Sequence, residues 1–497
     1  MSGGALVVGA VLGAVMIVLG GVFFPVFDKI IHDQVVKQVV LYNTNSTGFG
    51  EWKSPPGDIY MQFWFFTLAN KAEVQDGAKP YFAEVGPFTY KEHKPKGNIT
   101  FSADKNTVNY TSPNSYEFIP DMSVADPDYK ITTINIPLLT VADQLKFLPS
   151  FLQKLVLEFL ESYEHEEIFY EVSIHDILWG YEDPMLVLLA KVAPSLVPET
   201  TFGIFVGRNG SNDGVYQVYT GKNDPMQISN IVSWKGMTKL EWWTTDEANA
   251  INGSDGSYNH PFWNKDDDAY VFSSDICRSI IVKYEQETRT RGIRTWKFSA
   301  PSYSMLNGTA YPPNAGFCLP DIDHCLPSGL LNVSKCQLGA PIIMSLPHFL
   351  FADEEKVIDQ VYGVRPDIVE HNTYFNVEPL TGAPLEVAKR IQINIFMEKN
   401  AEIDQMKNLR TLTFPLLWLN ESATITVDGA NSLKKSLSLP LLITECVKWG
   451  LIGLGAVVLI ICSACFIRRR SPRVRSLSDT AINTSNGDLS ETTPILR

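Results

Sequence analysis

Hydrophobic positions fall into three patterns along this chain, and each predicts a different element. Two uninterrupted apolar runs lie near the ends, from about Gly3 to Phe27 and from Trp449 to Ile467, and neither holds a charged side chain. Each reaches the roughly 18–20 residues that a helix needs to cross a ~30 Å hydrocarbon core. Between them, short runs of β-branched and aromatic residues read as strands: 59–66, 107–110, 215–219 and 390–396. Several alternate apolar with polar, and Asn, Gly and Pro clusters separate them, as in an antiparallel sheet. Asn209-Gly210 and Asp213-Gly214 are turn candidates. Helical spacing is concentrated in one region. Ser150-Phe151-Leu152-Gln153 follows the capping-box pattern, with Ser150 as N-cap and Gln153 reaching back to its amide. That helix continues to about Tyr163, and its apolar positions (151, 152, 155, 156, 157, 159, 160 and 163) sweep a wide arc, leaving Glu158 and Glu161 on the remainder. Such an arc either buries the helix in a bundle or leaves a greasy face for a partner or lipid. Phe151, Leu152, Leu155, Glu158, Phe159 and Tyr163 are the candidate partner-binding positions. Ser173-Ile174-His175-Asp176 opens a second helix, and Asp183-Pro184 a third, with proline at the favoured first position.

The end runs define a two-anchor membrane protein. Arg468, Arg469, Arg470, Arg473 and Arg475 follow the second run, and positive charge beside a span stays cytoplasmic. Two crossings then place the N-terminus on the same side. The expected organisation is a short cytosolic segment 1–3, a span 4–27, a lumenal or extracellular region 28–448 with a helical bundle at about 145–192, a second span 449–467 and a cytosolic tail 468–497. The first run is longer than the about 7–15 residues of a signal-peptide core. It has no basic residue before it and ends in the poor cleavage site Gly-Gly-Val-Phe-Phe-Pro, so it reads as an uncleaved anchor.

Sequons agree with that topology. Asn-X-Ser/Thr occurs at Asn45, Asn98, Asn109, Asn209, Asn252, Asn307, Asn332 and Asn420, all between the anchors, where glycans are added on exposed loops. Asn483 also matches but falls in the cytosolic tail. Cys277, Cys318, Cys325 and Cys336 lie inside the lumenal region, and four cysteines in an oxidising compartment predict two disulfides with three open connectivities. Zinc is disfavoured because no CxxC pair or histidine cluster accompanies them. Cys462 and Cys465, at the inner leaflet, are candidate S-acylation sites. The net charge is −14, and the tail from Arg468 holds six arginines against Asp479, Asp488 and Glu491, so 28–448 carries −14 less 3, or −17. That acidic balance argues against nucleic acid as a partner.

No GxSxG elbow, HExxH, Walker loop or strand-associated GxGxxG is present. The eight histidines are scattered away from metal-ligand spacing, and Asp266-Asp267-Asp268 lacks the glycine and distal glutamate of a calcium loop. The expectation is a receptor or carrier, with no catalytic residue, metal or cofactor.

Residues along nearly the whole chain carry a resemblance. Trp52, Pro55-Pro56 and Tyr60 are followed by Asn70, Gly77, Pro80 and Glu84-Val85-Gly86-Pro87-Phe88-Thr89-Tyr90. Then come Leu178-Trp179-Gly180-Tyr181, Asn209-Gly210-Ser211-Asn212-Asp213-Gly214 and Ile251-Asn252-Gly253-Ser254-Asp255-Gly256. Ser274-Asp275-Ile276-Cys277-Arg278-Ser279 and Pro341-Ile342-Ile343-Met344-Ser345-Leu346-Pro347-His348-Phe349 complete the series. In this order, between two anchors, the chain resembles the scavenger receptor class B family. The resemblance implies an α+β fold: a β-rich, barrel-like ectodomain crossed by an apolar tunnel, with a helical bundle at the end far from the membrane. It also implies the pairing Cys277–Cys336 and Cys318–Cys325, and binding of lipids or lipoproteins whose apolar cargo passes through the tunnel toward the bilayer.

The tail ends Glu491-Thr492-Thr493-Pro494-Ile495-Leu496-Arg497. Glu491 four positions before Ile495-Leu496 resembles the acidic dileucine signal read by clathrin adaptors, which points to late endosomes and lysosomes rather than the plasma membrane. The lysosomal branch of the family is also associated with carrying a lysosomal enzyme, β-glucocerebrosidase, on its helical bundle. Here the chain departs from that branch: the segment 145–163 has no histidine to act as a pH trigger, and the first is His165 among Glu164, Glu166 and Glu167.

Overall fold

The structure is a computed structural model that describes residues 3–55, 57–162, 167–194, 197, 199–337 and 339–470. Its chain divides into two compact units, one holding the terminal segments up to Ile30 and from Ser438, the other Ile31–Leu437.

The described residues of the first unit are helical. The helix Gly3–Val39 and the segment Val427–Arg469 each contain a window apolar and long enough to cross a membrane. Their close approach depends on small residues: a Cβ on Gly13 would stand 2.9 Å from the Gly455 carbonyl oxygen, and one on Gly455 would stand 2.6 Å from that of Gly13. Backbones meet where side chains are smallest, which is how membrane helices gain dispersion contact. Cys462 is buried there, its Sγ facing Gly9, while Cys465 is half-buried. The first helix outruns the expected span because Ile31, Val35 and Val39 continue an i, i+4 apolar stripe, and Val35 and Val39 join the core of the second unit.

The second unit is built on an 11-stranded antiparallel sheet. Its main path runs Ala269–Ser273, Arg278–Thr290, Ile293–Ser299, Tyr374–Val377, Pro384–Met397, Leu412–Thr424, Ile59–Leu68, Phe82–His93 and Ser115–Phe118. Ile342–Ser345 and Leu331–Asn332 branch from Pro384–Met397. A four-stranded sheet joins Ile231–Trp234, Tyr216–Tyr219, Thr107–Thr111 and Gly97–Phe101. The runs 59–66, 107–110 and 390–396 fall within these elements, and 215–219 does so from Tyr216 onward. Register explains the core. Phe63 pairs with both Leu419 and Phe88, and Phe65 with Leu417, so period-2 alternation delivers all of them to one buried face. Farther along these strands on the same face, Met61 pairs with Glu421, Glu421 with Lys389 and Ile59 with Glu92. The apolar row therefore ends in charge.

Helices cluster between residues 136 and 192. Ser173 caps Ile174–Trp179 by accepting from the Asp176 amide, and Asp183 caps Pro184–Val192 by accepting from the Leu186 amide, as the sequence predicts. The capping box at Ser150 is corrected. The helix is Ser150–Ser162, the Pro149 carbonyl accepts from the Gln153 amide at 3.0 Å, and the Gln153 side chain donates to the Leu145 carbonyl at 2.9 Å. Pro149 thus occupies the N-cap position, one residue earlier, and Gln153 ties this helix to the preceding one. That preceding helix, Ile136–Leu145, is capped by Asn135 and carries Pro137 in its first turn.

Candidate ligand surface and buried polar clusters

The exposed face of Ser150–Ser162 is the candidate ligand surface. Val156 and Leu160 are its buried anchors, one turn apart. On the opposite side, Phe151 is 71% exposed and Leu155 38%. Phe147, in the turn before the helix, is 76% exposed and lies four positions before Phe151. Lys154 and Glu158 form an exposed i, i+4 ion pair at 3.8 Å along the edge of this stripe. Leu152 and Phe159 are half-buried, and Tyr163 lies outside the described residues. The wide apolar arc is thereby split, one side packed and one facing solvent. Covering a phenylalanine contributes about 1.5–3 kcal/mol, so the exposed Phe147 and Phe151 together offer substantial apolar area for docking.

Two partly buried polar clusters are assembled from distant segments of the domain. In the first, Glu84 accepts from His348 Nε2 at 2.6 Å and from Trp418 Nε1 at 2.8 Å. His371 stacks on His348 with ring centroids 4.3 Å apart, and Trp64 stacks on Trp418 at 3.9 Å. Each imidazole has its Nδ1 occupied by a backbone amide: Arg365 donates to His348 at 3.0 Å and Asp367 to His371 at 2.9 Å. An Nδ1 that accepts an N–H cannot also carry a proton, and for His371 this bond favours the neutral ring. Burial, and the neighbouring His348, push His371 down to about 4. Burial works to raise Glu84, but the hydrogen bonds from His348 and Trp418 bring it below the usual carboxylate range. His348 and Phe349 both have left-handed backbone (φ 52° and 58°), held by the His348 amide donating to Gln392 Oε1 at 2.6 Å.

The second cluster is the charged end of the buried sheet face. Lys389 bridges Glu421 at 3.1 Å and Asp275 at 2.5 Å, and Lys94 bridges Glu421 at 3.3 Å and Glu92 at 3.8 Å. Burial works to raise Glu421, yet Lys389 and Lys94 hold it down at about 2. Burial, reinforced by the Glu421 charge, pushes Glu92 up to about 7. Tyr116 donates to Glu92 at 3.3 Å.

The modification sites are spread widely. Asn45, Asn98, Asn209 and Asn252 are exposed, whereas Asn109, Asn307, Asn332 and Asn420 are half-buried. Asn420 sits in a central strand opposite Gln62 and Arg390. Asn252 lines an open cavity of about 380 Å³ together with Asn259, His260, Asp268 and Tyr270. Cys277 is bonded to Cys336 and Cys318 to Cys325. Glu491, Ile495 and Leu496 lie outside the described residues. Neither polar cluster was read from the sequence. Glu84 and His348 stand in two of the most distinctive motifs, but they are 264 positions apart, and only the folded register joins them.

Comparison with known proteins places the chain in a family. The chain is 39% identical over 421 residues to lysosome membrane protein 2 of Rattus norvegicus, covering 84% of this chain and 86% of that one. The Homo sapiens protein of the same name gives the same identity and coverage. Scavenger receptor class B member 1 of Rattus norvegicus is 33% identical over 452 residues, covering 91% of this chain and 87% of the relative. Residues 11–466 match the CD36 family, and this chain belongs to it.

Proposed function

We propose that this protein is a membrane receptor, not an enzyme, that binds lipid or lipoprotein ligands and passes apolar cargo to the bilayer in endosomal and lysosomal membranes. The carrying observation is the solvent-facing stripe of Phe147, Phe151 and Leu155, a surface suited to apolar ligands. Family membership supports the receptor role, and relatives named scavenger receptor class B member 1 and lysosome membrane protein 2 support the ligand class and the compartment. In this reading both termini are cytosolic, the lumenal domain contains an apolar conduit, and the tail engages clathrin adaptors through Glu491, Ile495 and Leu496. Uptake of lipoprotein carrying a fluorescent apolar lipid, by cells expressing the chain, tests it. Uptake above that of control cells is expected. Absence of uptake, with a soluble lysosomal enzyme co-purifying instead, overturns the lipid reading in favour of an enzyme-sorting receptor.

A further inference from the structure

Arg278 stands out among the described residues. It follows the disulfide-bonded Cys277, is 6% exposed, and its Nε is buried with no acceptor. Its cation–π contact is with Phe317, 3.6 Å from guanidinium carbon to ring centroid. Burial lowers its pKa to about 9, and among the described residues no ion pair opposes it. A buried guanidinium without a counter-charge is strongly unfavourable, and such groups are normally paired.

The space beside it is a cavity of about 30 Å³, roughly twice the ~10–15 Å³ that one water requires. Leu306, Leu330, Asn307 and Asn332 contribute to its walls, and Cys318 places the second disulfide there. Two of the other polar side chains in the lining are already engaged. Asn314 donates Nδ2 to the Tyr303 and Leu306 carbonyls at 2.9 and 2.7 Å, and His324 pairs with Asp321 at 2.7 Å. Among the described residues, the charged donor left without an acceptor in this lining is the Arg278 guanidinium at Nε, and the two disulfides fix the irregular chain around it.

We propose that this pocket is a binding site for one small monovalent anion, a halide or a carboxylate, seated on Arg278 and completing the fold of the disulfide-stapled segment. The test uses the full chain in lipid nanodiscs at constant ionic strength, with gluconate replaced by chloride or by acetate. An anion that binds only the folded state raises the melting temperature with its concentration, and a rise of about 2 °C or more is expected. Response to chloride marks a halide site, response to acetate a carboxylate site, and either supports the proposal. Arg278→Met should abolish the response. A wild-type melting temperature indifferent to both anions, or a response that survives in the variant, overturns it. Because Arg278→Met also removes the contact with Phe317, a second measurement uses unaltered protein. Crystals grown in bromide and, separately, in acetate should show an anion within hydrogen-bonding distance of the guanidinium, the bromide by its anomalous peak, and a pocket empty in both overturns the proposal.

Discussion

Glu92 and His371 should tilt the protein's pH stability in opposite directions, so that neither tilt is visible until one is removed. His371 is 7% exposed and held neutral, with its pKa lowered from 6.5 to about 4. A group whose folded pKa is depressed supports stability above its unfolded pKa, and that support is lost as pH falls toward the folded value. Glu92 is 3% exposed and raised from 4.5 to about 7. Its contribution is fully present below 4.5 and is lost as pH rises through 7. From pH 7 to pH 5, linkage gives a loss of about 2 kcal/mol from His371 and a gain of about 2 kcal/mol from Glu92. The two cancel across the window that separates neutral from acidic compartments. The groups that set these shifts are Glu421, Lys94, Lys389 and Tyr116 around Glu92, and His348, Glu84, Asp367 and Arg390 around His371. The assay is urea unfolding of the full chain in nanodiscs, followed by tryptophan fluorescence at pH 7 and pH 5. Wild type should change little. Glu92→Gln should lose about 2 kcal/mol on acidification, and His371→Asn, which keeps an acceptor for the Asp367 amide, should gain about as much. Parallel pH profiles for all three proteins would refute the cancellation.

Three further outcomes follow from local geometry and from the tail. Replacing Cys277 and Cys336 with serine opens a loop of 59-residue separation, which should lower stability by about 4 kcal/mol, read as a fall in melting temperature. Gly253→Ala would set a Cβ 1.8 Å from the Tyr270 carbonyl oxygen at φ +78° and should cost about 3 kcal/mol or more, against about 1 kcal/mol for Gly236→Ala, which has the same φ and open space. Equal melting temperatures for those two variants would contradict the steric account. Ile495→Ala with Leu496→Ala should move the protein from lysosomes to the cell surface, and unchanged lysosomal staining would remove the sorting basis.

What the sequence disclosed depended on the range of the interaction responsible. Strands such as Ile59–Leu68 were legible because alternation is a local consequence of one-sided burial. The caps Ser173 and Asp183 were legible because each bonds an amide three residues on. Ser150 misled because Gln153 has a better partner in the Leu145 carbonyl, supplied by another helix. Ile136–Leu145 was missed, although Asn135 before a proline-bearing first turn was the available signal; its apolar run reads equally well as a buried strand. The polar clusters were beyond reach, since Lys94 and Glu421 are 327 positions apart and meet only through strand register.

The central claim is that the Phe147–Phe151–Leu155 stripe receives apolar ligands, and the most direct measurement is the affinity of full-length protein in nanodiscs for lipoprotein particles. Phe147→Ser with Phe151→Ser should weaken binding at least about tenfold, given about 1.5–3 kcal/mol for each covered ring, with the melting temperature preserved because both side chains face solvent. Unchanged affinity in a folded double variant would contradict the account.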